Sequence, residues 1–524
     1  MTGGARHPTS SGPGGRTPGR GAGAPLRVAL LALALSCLAG CVYLPRFDDA
    51  VASEAVSPDQ PSRLASALAV DAESGTRVRL VEDARVALAS RLDLIEAADI
   101  SIDLQYFIWQ NDATGVLLVE KLLQAADRGV RVRALLDDIQ TGAFVDTLHA
   151  LDDHPNVEIR IFNPFSVRLR FPLGFIRFAE VAIDGNRLNH RMHNKLMVVD
   201  NQTAILGGRN IGDDYFGHST ERNFLDTDIL LAGPIVPDLS AGFDAYWNSR
   251  WVYPVRALGD FLVFPTTLDE VRERIRGRLD AHPELDELRR GQGYARTVAL
   301  VAGAPRAAWA GMVIDDPDVS WFQRPDEIAF DLGHFAESIQ REVLIVTPYL
   351  IPTPRLLEIT SELIARGVKI RVMTNSLGTN DVVMAHSAYA RFRREILDAG
   401  VELYELRAGP AVAAADPASS ISLHSKYIVF DDQQVFVGSL NLDPRSLYLN
   451  TELGVLLDCP SIAGALRASF QNLTAPENAW QVLATTDRLI WKAGDQTLSE
   501  EPARSRWQRF RNWLYGLMPL HSQF

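Results

Sequence analysis

The chain has 524 residues, is 47% hydrophobic and carries 52 Lys+Arg against 65 Asp+Glu, for a formal net charge of −13. That length exceeds one compact core and predicts two domains, while the acidic balance leaves no broad basic surface and so disfavours a duplex-DNA binder or general nuclease. Three cysteines, Cys37, Cys41 and Cys459, are too few and too scattered for a disulfide framework or a cysteine metal cluster, so the chemistry falls to other side chains.

Residues 1–40 contain Arg6, Arg16, Arg20 and Arg27 and no acid, then an apolar run over 28–38, which is the order of a secretory leader. The run is too short to span a membrane. It closes on Leu38-Ala39-Gly40-Cys41, which resembles the bacterial lipoprotein box, in which the Cys is lipidated and becomes the mature N-terminus. Loss of four positive charges takes the net charge from −13 to −17. By the same resemblance Val42, in place of Asp, favours the outer membrane of a Gram-negative cell, with the body facing the periplasm. Residues 41–76, rich in Ala, Ser, Pro and Asp, predict a flexible tether.

The body reads as a diverged duplication. Residues 100–108 predict a buried strand, 116–126 a helix, and Arg128-Gly129 turns the chain into a second strand ending at Asp137, a β-α-β unit. The order recurs over 343–349, 356–365 and 366–375, where Arg366-Gly367 occupies the place of Arg128-Gly129. A repeat of this length predicts two homologous domains, 77–262 and 301–485, joined by a charged helical connector over 263–300 and followed by a tail over 486–524.

Each half carries one polar signature. His193-Asn194-Lys195 is followed by Asp200 and Gly207-Gly208-Arg209-Asn210; His424-Ser425-Lys426 is followed by Asp431 and Gly438-Ser439-Leu440-Asn441. The spacings agree position for position across 231 residues, which chance does not produce. Only five lysines occur, Lys121, Lys195, Lys369, Lys426 and Lys492, and two stand in these motifs. In a chain that spells its other 47 positive charges as Arg, such a Lys marks a need for a compact ammonium. His and Lys two apart on a strand project to one face, so two such strands related by a pseudo-twofold axis surround one anion with two imidazoles and two ammoniums. The chemistry predicted is phosphoryl transfer.

These residues resemble the phospholipase D superfamily, whose H-x-K-x4-D-x6-G-[SG]-x-N motif appears twice. Tyr106-Phe-Ile-Trp, Leu136-Asp-Asp-Ile, Phe162-Asn-Pro-Phe165, Arg191-Met-His-Asn-Lys195, Gly207-Gly-Arg-Asn-Ile-Gly-Asp213 and Asn441-Leu-Asp-Pro-Arg-Ser446 narrow the likeness to the bacterial cardiolipin synthases, those of the C type in particular. The resemblance implies an α/β fold of two homologous domains, mixed sheets flanked by helices, sharing one active site on a pseudo-twofold axis. It implies no cofactor and no metal. It implies a nucleophilic His in the first motif, His193, with His424 as acid and base through a phosphohistidine.

The candidate catalytic set is therefore His193, Lys195, Asp200, His424, Lys426 and Asp431, with Asp200 and Asp431 placed at strand-to-turn positions suited to bracing the fold. Lys195, Asn210, Lys426, Ser439 and Asn441 are the candidate phosphate ligands, and Gly208, where Ser is commoner, removes one hydroxyl. Aligning 226–231 with 452–457 sets Asp226 opposite Glu452 as the pair that orients the imidazoles. The Asp137-Asp138 and Asp431-Asp432 pairs end apolar strands and read as turn chemistry rather than cation ligands. His386, ahead of Tyr389 and Arg391, stands in a helical run whose counterparts in the resembled family lie near the substrate cleft, and it reads equally well as helix-surface decoration, so it stays outside the catalytic set.

Two segments combine aromatic and basic residues, 165–178 and the helix-periodic tail with Trp507, Phe510, Leu514 and Leu517 beside Arg504, Arg506, Arg509 and Arg511, which suits either an anionic lipid surface or packing on the protein's own body. The expected substrates are phospholipids, phosphatidylglycerol, phosphatidylethanolamine or cardiolipin-related, with transfer to an alcohol making cardiolipin. Hydrolysis by water as a phospholipase D, and a phosphodiesterase or nuclease of the same superfamily, are the alternatives. No nucleic acid partner is expected.

Overall fold

The computed structural model describes residues 1–4, 51–68, 75–141, 144–166, 185, 187–258, 266–291, 293–318, 335, 338–411 and 419–517. The proposed leader beyond residue 4 and Cys41 lie outside them, as does most of the aromatic-basic segment 165–178. Residues 1–46 and 47–524 separate as two units, and every strand and helix among the described residues lies in the second.

The segment 101–106 forms a strand buried along its whole length, its polar residues Ser101, Asp103 and Gln105 alternating with Ile102, Leu104 and Tyr106, and the helix after it, Ala113–Asp127, starts where the Asp112 carboxylate accepts the Gly115 amide. It stops at Gly129, whose φ of +96° lies where glycine alone carries no penalty. The repeat uses the same punctuation: Thr353 caps the helix Pro354–Ala365 and Gly367, at +88°, ends it. In each unit the two strands pair in parallel.

In chain order the first half contributes β1 (Arg77–Val81), β2 (Ser101–Tyr106), β3 (Arg131–Asp137), β4 (Val157–Phe162), β5 (Lys195–Val199), β6 (Thr203–Gly207), β7 (Arg222–Leu225), β8 (Asp228–Ala232) and β9 (Val252–Pro254). The second contributes β10 (Trp309–Ile314), β11 (Glu342–Val346), β12 (Lys369–Asn375), β13 (Glu402–Leu406), β14 (Ser420–Leu423), β15 (Tyr427–Phe430), β16 (Gln434–Gly438), β17 (Leu453–Asp458), β18 (Ala479–Ala484), β19 (Leu489–Ala493) and β20 (Gln496–Leu498). The first sheet runs β1-β8-β6-β5-β2-β3-β4-β9 and the second β10-β17-β16-β15-β11-β12-β13-β18-β19-β20. Strand for strand the first eight positions correspond, so the duplication read from the motifs extends through both mixed sheets.

The halves share a core. Leu196, Val198, Leu206, Ile229 and Leu231 of the first sheet join Tyr427, Val429, Val435, Val437, Val455 and Leu457 of the second in one buried cluster. These are the strand positions that alternate with the motif side chains, so the face opposite each Lys is spent on holding the halves together. The two phospholipase D-like domains are thus packed as a single compact unit.

Two boundaries differ from expectation, while the connector is helical as expected. Residues 51–68 are docked rather than a free tether: the Ala55 amide donates to Asp244 Oδ2 at 2.6 Å, Arg131 and Arg133 donate to the carbonyls of Glu54 and Ser53, and Arg63 pairs with Asp99 at 2.7 Å. Backbone polar groups of this segment complete the hydrogen bonding of side chains at the sheet edge, which its composition did not disclose. The connector packs on the first half, with Val271, Ile275 and Leu279 buried and Arg272 held to Asp127 at 2.7 Å. The second sheet does not stop near 485, because β19 and β20 extend it before the terminal helix Arg506–Gly516.

Asp200 and Asp431 occupy equivalent tight turns in left-handed conformation, at φ of +52° and +49°. Asp200 accepts from the amides of Asp99, Ile100 and Ser101 at 2.8 to 3.0 Å, and Asp431 from those of Gln340, Arg341 and Glu342 at 2.7 to 2.9 Å. Burial pushes the Asp431 carboxyl up, but the three amides outweigh it and hold it below the ordinary range. Their inclusion in the catalytic set is corrected: each carboxylate ties the turn after its motif to the start of the central strand. Asp200→Ala strands three donors and is expected to cost roughly 2–4 kcal/mol of stability. Asp200→Asn, which keeps an acceptor and tolerates the turn, should cost less, and both should retain the wild-type rate per folded molecule, as thermal melts paired with active-site-normalised rates will read.

Candidate active site

Each catalytic strand is preceded by a short stretch that pairs with the opposite half. β14, leading to His424, lies parallel to β7, and the His424 amide donates to the Leu225 carbonyl at 2.7 Å. On the other side Met192 bridges Thr451 in parallel and the His193 amide donates to the Thr451 carbonyl at 2.9 Å. The residues after those two carbonyls are Asp226 and Glu452. The backbone pairing therefore delivers each carboxylate to the imidazole of the other half.

His193 Nδ1 lies 2.8 Å from Glu452 Oε2, and His424 Nδ1 lies 2.6 Å from Asp226 Oδ2. With Nδ1 engaged, each imidazole keeps Nε2 for chemistry; among the described residues neither Nε2 has a hydrogen-bond partner. Phe107 packs edge-on against His193, with ring centroids 4.9 Å apart, and Tyr215 and Phe224 flank His424 at 5.3 and 5.0 Å. Both imidazoles are thus held at one nitrogen and along their flanks.

The Lys195 ammonium donates to the His193 carbonyl and sits 5.2 Å above the Phe107 ring. Lys426 donates to the His424 carbonyl and approaches His424 Nδ1 at 3.0 Å. Both are buried, and burial lowers both, Lys195 well below the ordinary lysine range and Lys426 to about 8. An anion between them would compensate the desolvation that each now bears.

Electrostatically the halves differ. Burial, followed by Lys195, Lys426, His424 and Arg445, pushes His193 well below the ordinary histidine value. Burial also lowers His424, though the Asp226 charge opposes the shift. Burial raises the Glu452 carboxyl to about 7 against the pull of Lys195, whereas for Asp226 the cations His424, Lys426 and Arg209 overcome burial and keep it below the ordinary range. His193 is the imidazole set to be neutral, and His424, facing an ionised Asp226, the one better placed to carry a proton.

The candidate phosphate ligands divide. Lys195 and Lys426 converge on the site. Ser439 does not: its hydroxyl donates to Glu452 and accepts the Leu453 amide at 3.0 Å, so its assignment to phosphate is corrected to a carboxylate support. Gly208 has a steric reason, since a Cβ there would come within 2.1 Å of Asp226 Oδ1. Asn210 uses its amide on the Ile108 N–H at 3.2 Å and the Tyr215 hydroxyl at 2.9 Å, which makes it a brace rather than a free phosphate donor. Asn441 keeps a buried Oδ1 without a partner among the described residues. Sequence reasoning missed the aromatic flanks and Arg445, a half-buried cation on the segment joining Asn441 to Glu452. Phe107 and Arg445 had an advance signal in the segments Tyr106-Phe-Ile-Trp and Asn441-Leu-Asp-Pro-Arg-Ser446, whereas Tyr215 and Phe224 had none. His386 is also reassigned: it is buried, with Nε2 2.8 Å from Glu501, and is not surface decoration.

The sequence model described as "Cardiolipin synthase, PLD-like domain" matches residues 92–247 and 334–474. The chain belongs to this family. It is an enzyme of the phospholipase D type, with the family's domain present twice. Cardiolipin synthase C of Escherichia coli (strain K12) is 36% identical over 457 residues, covering 83% of this chain and 93% of that protein. A cardiolipin synthase of Geobacillus kaustophilus (strain HTA426) is 28% identical over 374 residues, 69% of this chain and 59% of that one. Among solved structures, phosphatidylserine synthase from Haemophilus influenzae Rd KW20 superposes with a TM-score of 0.53 at 15% identity, covering 77% of this chain and 87% of that one, a likeness of fold.

The crossed carboxylates carry a test. Glu452→Gln and Asp226→Asn should each lower kcat by about 10²–10⁴, since an imidazole without its partner loses the tautomer that exposes a reactive Nε2. The melting temperature should move by only a few degrees, and each substitution should shift, in imidazole NMR spectra, the histidine of the opposite half.

Proposed function

We propose that this enzyme transfers a phosphatidyl group from one phospholipid to the hydroxyl of another through a phosphohistidine, the product being cardiolipin. The observation that carries the reading is the pair of imidazoles, each held at Nδ1 by a carboxylate of the opposite half, with two buried ammoniums beside them. In the first step neutral His193 Nε2 attacks phosphorus, the P–N bond forms, and the P–O bond to the leaving alcohol breaks as His424 delivers its proton to that oxygen. In the second, His424 takes the proton of the acceptor hydroxyl, whose oxygen displaces His193 from phosphorus. Lys195 and Lys426 stabilise the charge on the non-bridging oxygens throughout. Similarity to cardiolipin synthases over most of the chain supports the phospholipid substrate and the alcohol acceptor.

The experiment supplies labelled phosphatidylglycerol, with and without phosphatidylethanolamine, and separates cardiolipin from phosphatidic acid; exclusive phosphatidic acid would make the enzyme a hydrolase. His193→Ala and His424→Ala are expected to lose at least about three orders of magnitude, because nucleophile and proton shuttle act as one unit. Acid-quenched wild type should carry the phosphatidyl label on His193 alone. Label on His424 would reverse the assignment, and a single variant within about tenfold of wild type, a loss of only about 1.4 kcal/mol, would break the two-histidine mechanism.

The same reading places the enzyme at a membrane as a lipoprotein anchored through Cys41 and facing the periplasm, the outer membrane favoured. The body is docked from Val51 onward, where the Arg160 guanidinium donates to the Val51 carbonyl at 2.7 Å. Cys41→Ala, where still exported, should leave the membrane fraction largely for the soluble fraction at high salt. Retention with an uncleaved N-terminus would instead make residues 28–38 part of an anchor.

A further inference from the structure

The terminal helix Arg506–Gly516 has its polarity inverted with respect to the body. Its docked side is polar: Gln508 donates to the Leu377 carbonyl at 2.6 Å, Asn512 to Glu501 Oε2 at 3.0 Å, and Arg391 reaches the Gly516 carbonyl at 2.5 Å. Its outer side is apolar. Trp507, Phe510, Trp513, Leu514 and Leu517 are 64, 46, 59, 38 and 63% exposed, and the three aromatic rings form a continuous ladder with centroids 5.3 and 5.8 Å apart. Helical spacing accounts for the division, with 507, 510, 514 and 517 on one face and 508, 512 and 515 on the other. Contiguous exposed aromatics on a helix that hydrogen bonding has already fixed call for a partner.

The helix is held as a plate. Glu501, just before it, accepts from Arg393 at 2.6 Å and Asn512 and lies 2.8 Å from His386 Nε2, while Arg393 also pairs with buried Glu405 at 2.6 Å. Burial pushes the Glu501 carboxyl up, but Arg393 and His386 overcome it and bring it to about 2, so the clip stays ionised at any working pH. Arg504 adds a hydrogen bond to the Gly378 carbonyl. These contacts land on residues 377–378, directly after β12, and Asn375 at the end of that strand binds both the amide and the carbonyl of Leu423, the neighbour of His424. The plate is therefore tied, through one short loop, to β14, the strand that leads into His424.

We propose that this helix docks the enzyme on an anionic phospholipid surface and orients the active site toward it. Charge selects this partner: residues 504–517 hold Arg504, Arg506, Arg509 and Arg511 and no acid, and although Arg509 pairs with Glu500 at 2.6 Å, Arg506 and Arg511 make no ion pair among the described residues, so the plate is a local cationic exception in a chain of net charge −13. Tryptophan and arginine together suit the boundary between head groups and acyl chains, where an indole buries its ring and keeps its N–H wet. The inference rests on the phospholipid reading of the site, since a plate that faces substrate-bearing membrane has a purpose only if the substrate is lipid.

The test uses the full chain with Cys41→Ser, so that no acyl anchor contributes, and vesicles of phosphatidylcholine with or without phosphatidylglycerol. The expected result is salt-sensitive partitioning onto the phosphatidylglycerol vesicles, with tryptophan emission quenched by brominated lipid. Trp507→Ser/Phe510→Ser/Trp513→Ser should weaken partitioning at least about tenfold, and Arg506→Glu/Arg511→Glu should abolish the preference for phosphatidylglycerol. Turnover of vesicle-borne substrate should fall in parallel, while turnover of monomeric short-chain phosphatidylglycerol should stay at the wild-type level in both variants. Partitioning of the triple variant within twofold of wild type would overturn the proposal, as would loss of an oligomer with vesicle binding unchanged, which would make a second copy the partner. Should the wild type turn over no phospholipid in any form, the functional reading fails while partitioning still decides the plate.

Discussion

The interlock between halves governs this structure. A carboxylate that must sit within hydrogen-bonding reach of an imidazole, both buried, needs its backbone fixed to a fraction of an ångström, and the short parallel pairings of Leu225 with the start of the His424 strand and of Thr451 with that of His193 provide that fixation. Because each pairing joins opposite halves, neither half holds a complete imidazole-carboxylate pair of its own. Shared function then requires a shared core, and the strand faces opposite the motif lysines supply it. A duplication that began as two equal units is in this way committed to a single body.

Burying two ammoniums, two imidazoles and two carboxylates together would be prohibitive if all were charged and unpartnered. The molecule balances the cost unevenly. Asp226 is backed by Arg209, whose guanidinium also meets Asp228 at 3.3 Å, and Asp226 stays ionised opposite His424. Glu452 is backed by the neutral Ser439 hydroxyl, and its proton affinity rises to about 7 opposite a His193 that burial and cations keep neutral. Two imidazoles related by pseudo-symmetry thereby sit in different surroundings: burial raises Glu452 even against the Ser439 hydroxyl and Lys195, whereas His424, Lys426 and Arg209 outweigh burial at Asp226.

Outside the site, charge and polarity are used to attach segments that carry no core of their own. Residues 51–68 are fixed by hydrogen bonds from Arg131, Arg133 and Arg160 together with burial of Leu64 and Leu68, and the terminal helix by the Glu501 cluster. That choice leaves the aromatic face of the helix free, which an apolar mode of docking would have consumed.

The sequence by itself determined the duplication, the two motifs and the family, because identical spacing of His, Lys, Asp, Gly and Asn across 231 residues is a covalent fact that needs no folding to be seen. The β-α-β units were legible for a related reason: their periodicity and the glycines at 129 and 367 act locally. The alignment also brought Asp226 and Glu452 forward as a pair. Which histidine each would meet could not be read from it, since a partner across the pseudo-twofold axis is chosen by strand pairing between residues about 200 to 260 positions apart. The same holds for Ser439, read from the sequence as a phosphate ligand until the fold set Glu452 beside its hydroxyl, and for residues 51–68, whose loop-like composition says nothing about a waiting row of side-chain donors. Composition and spacing report what a segment can do alone; only the tertiary structure decides which distant group satisfies a buried polar atom.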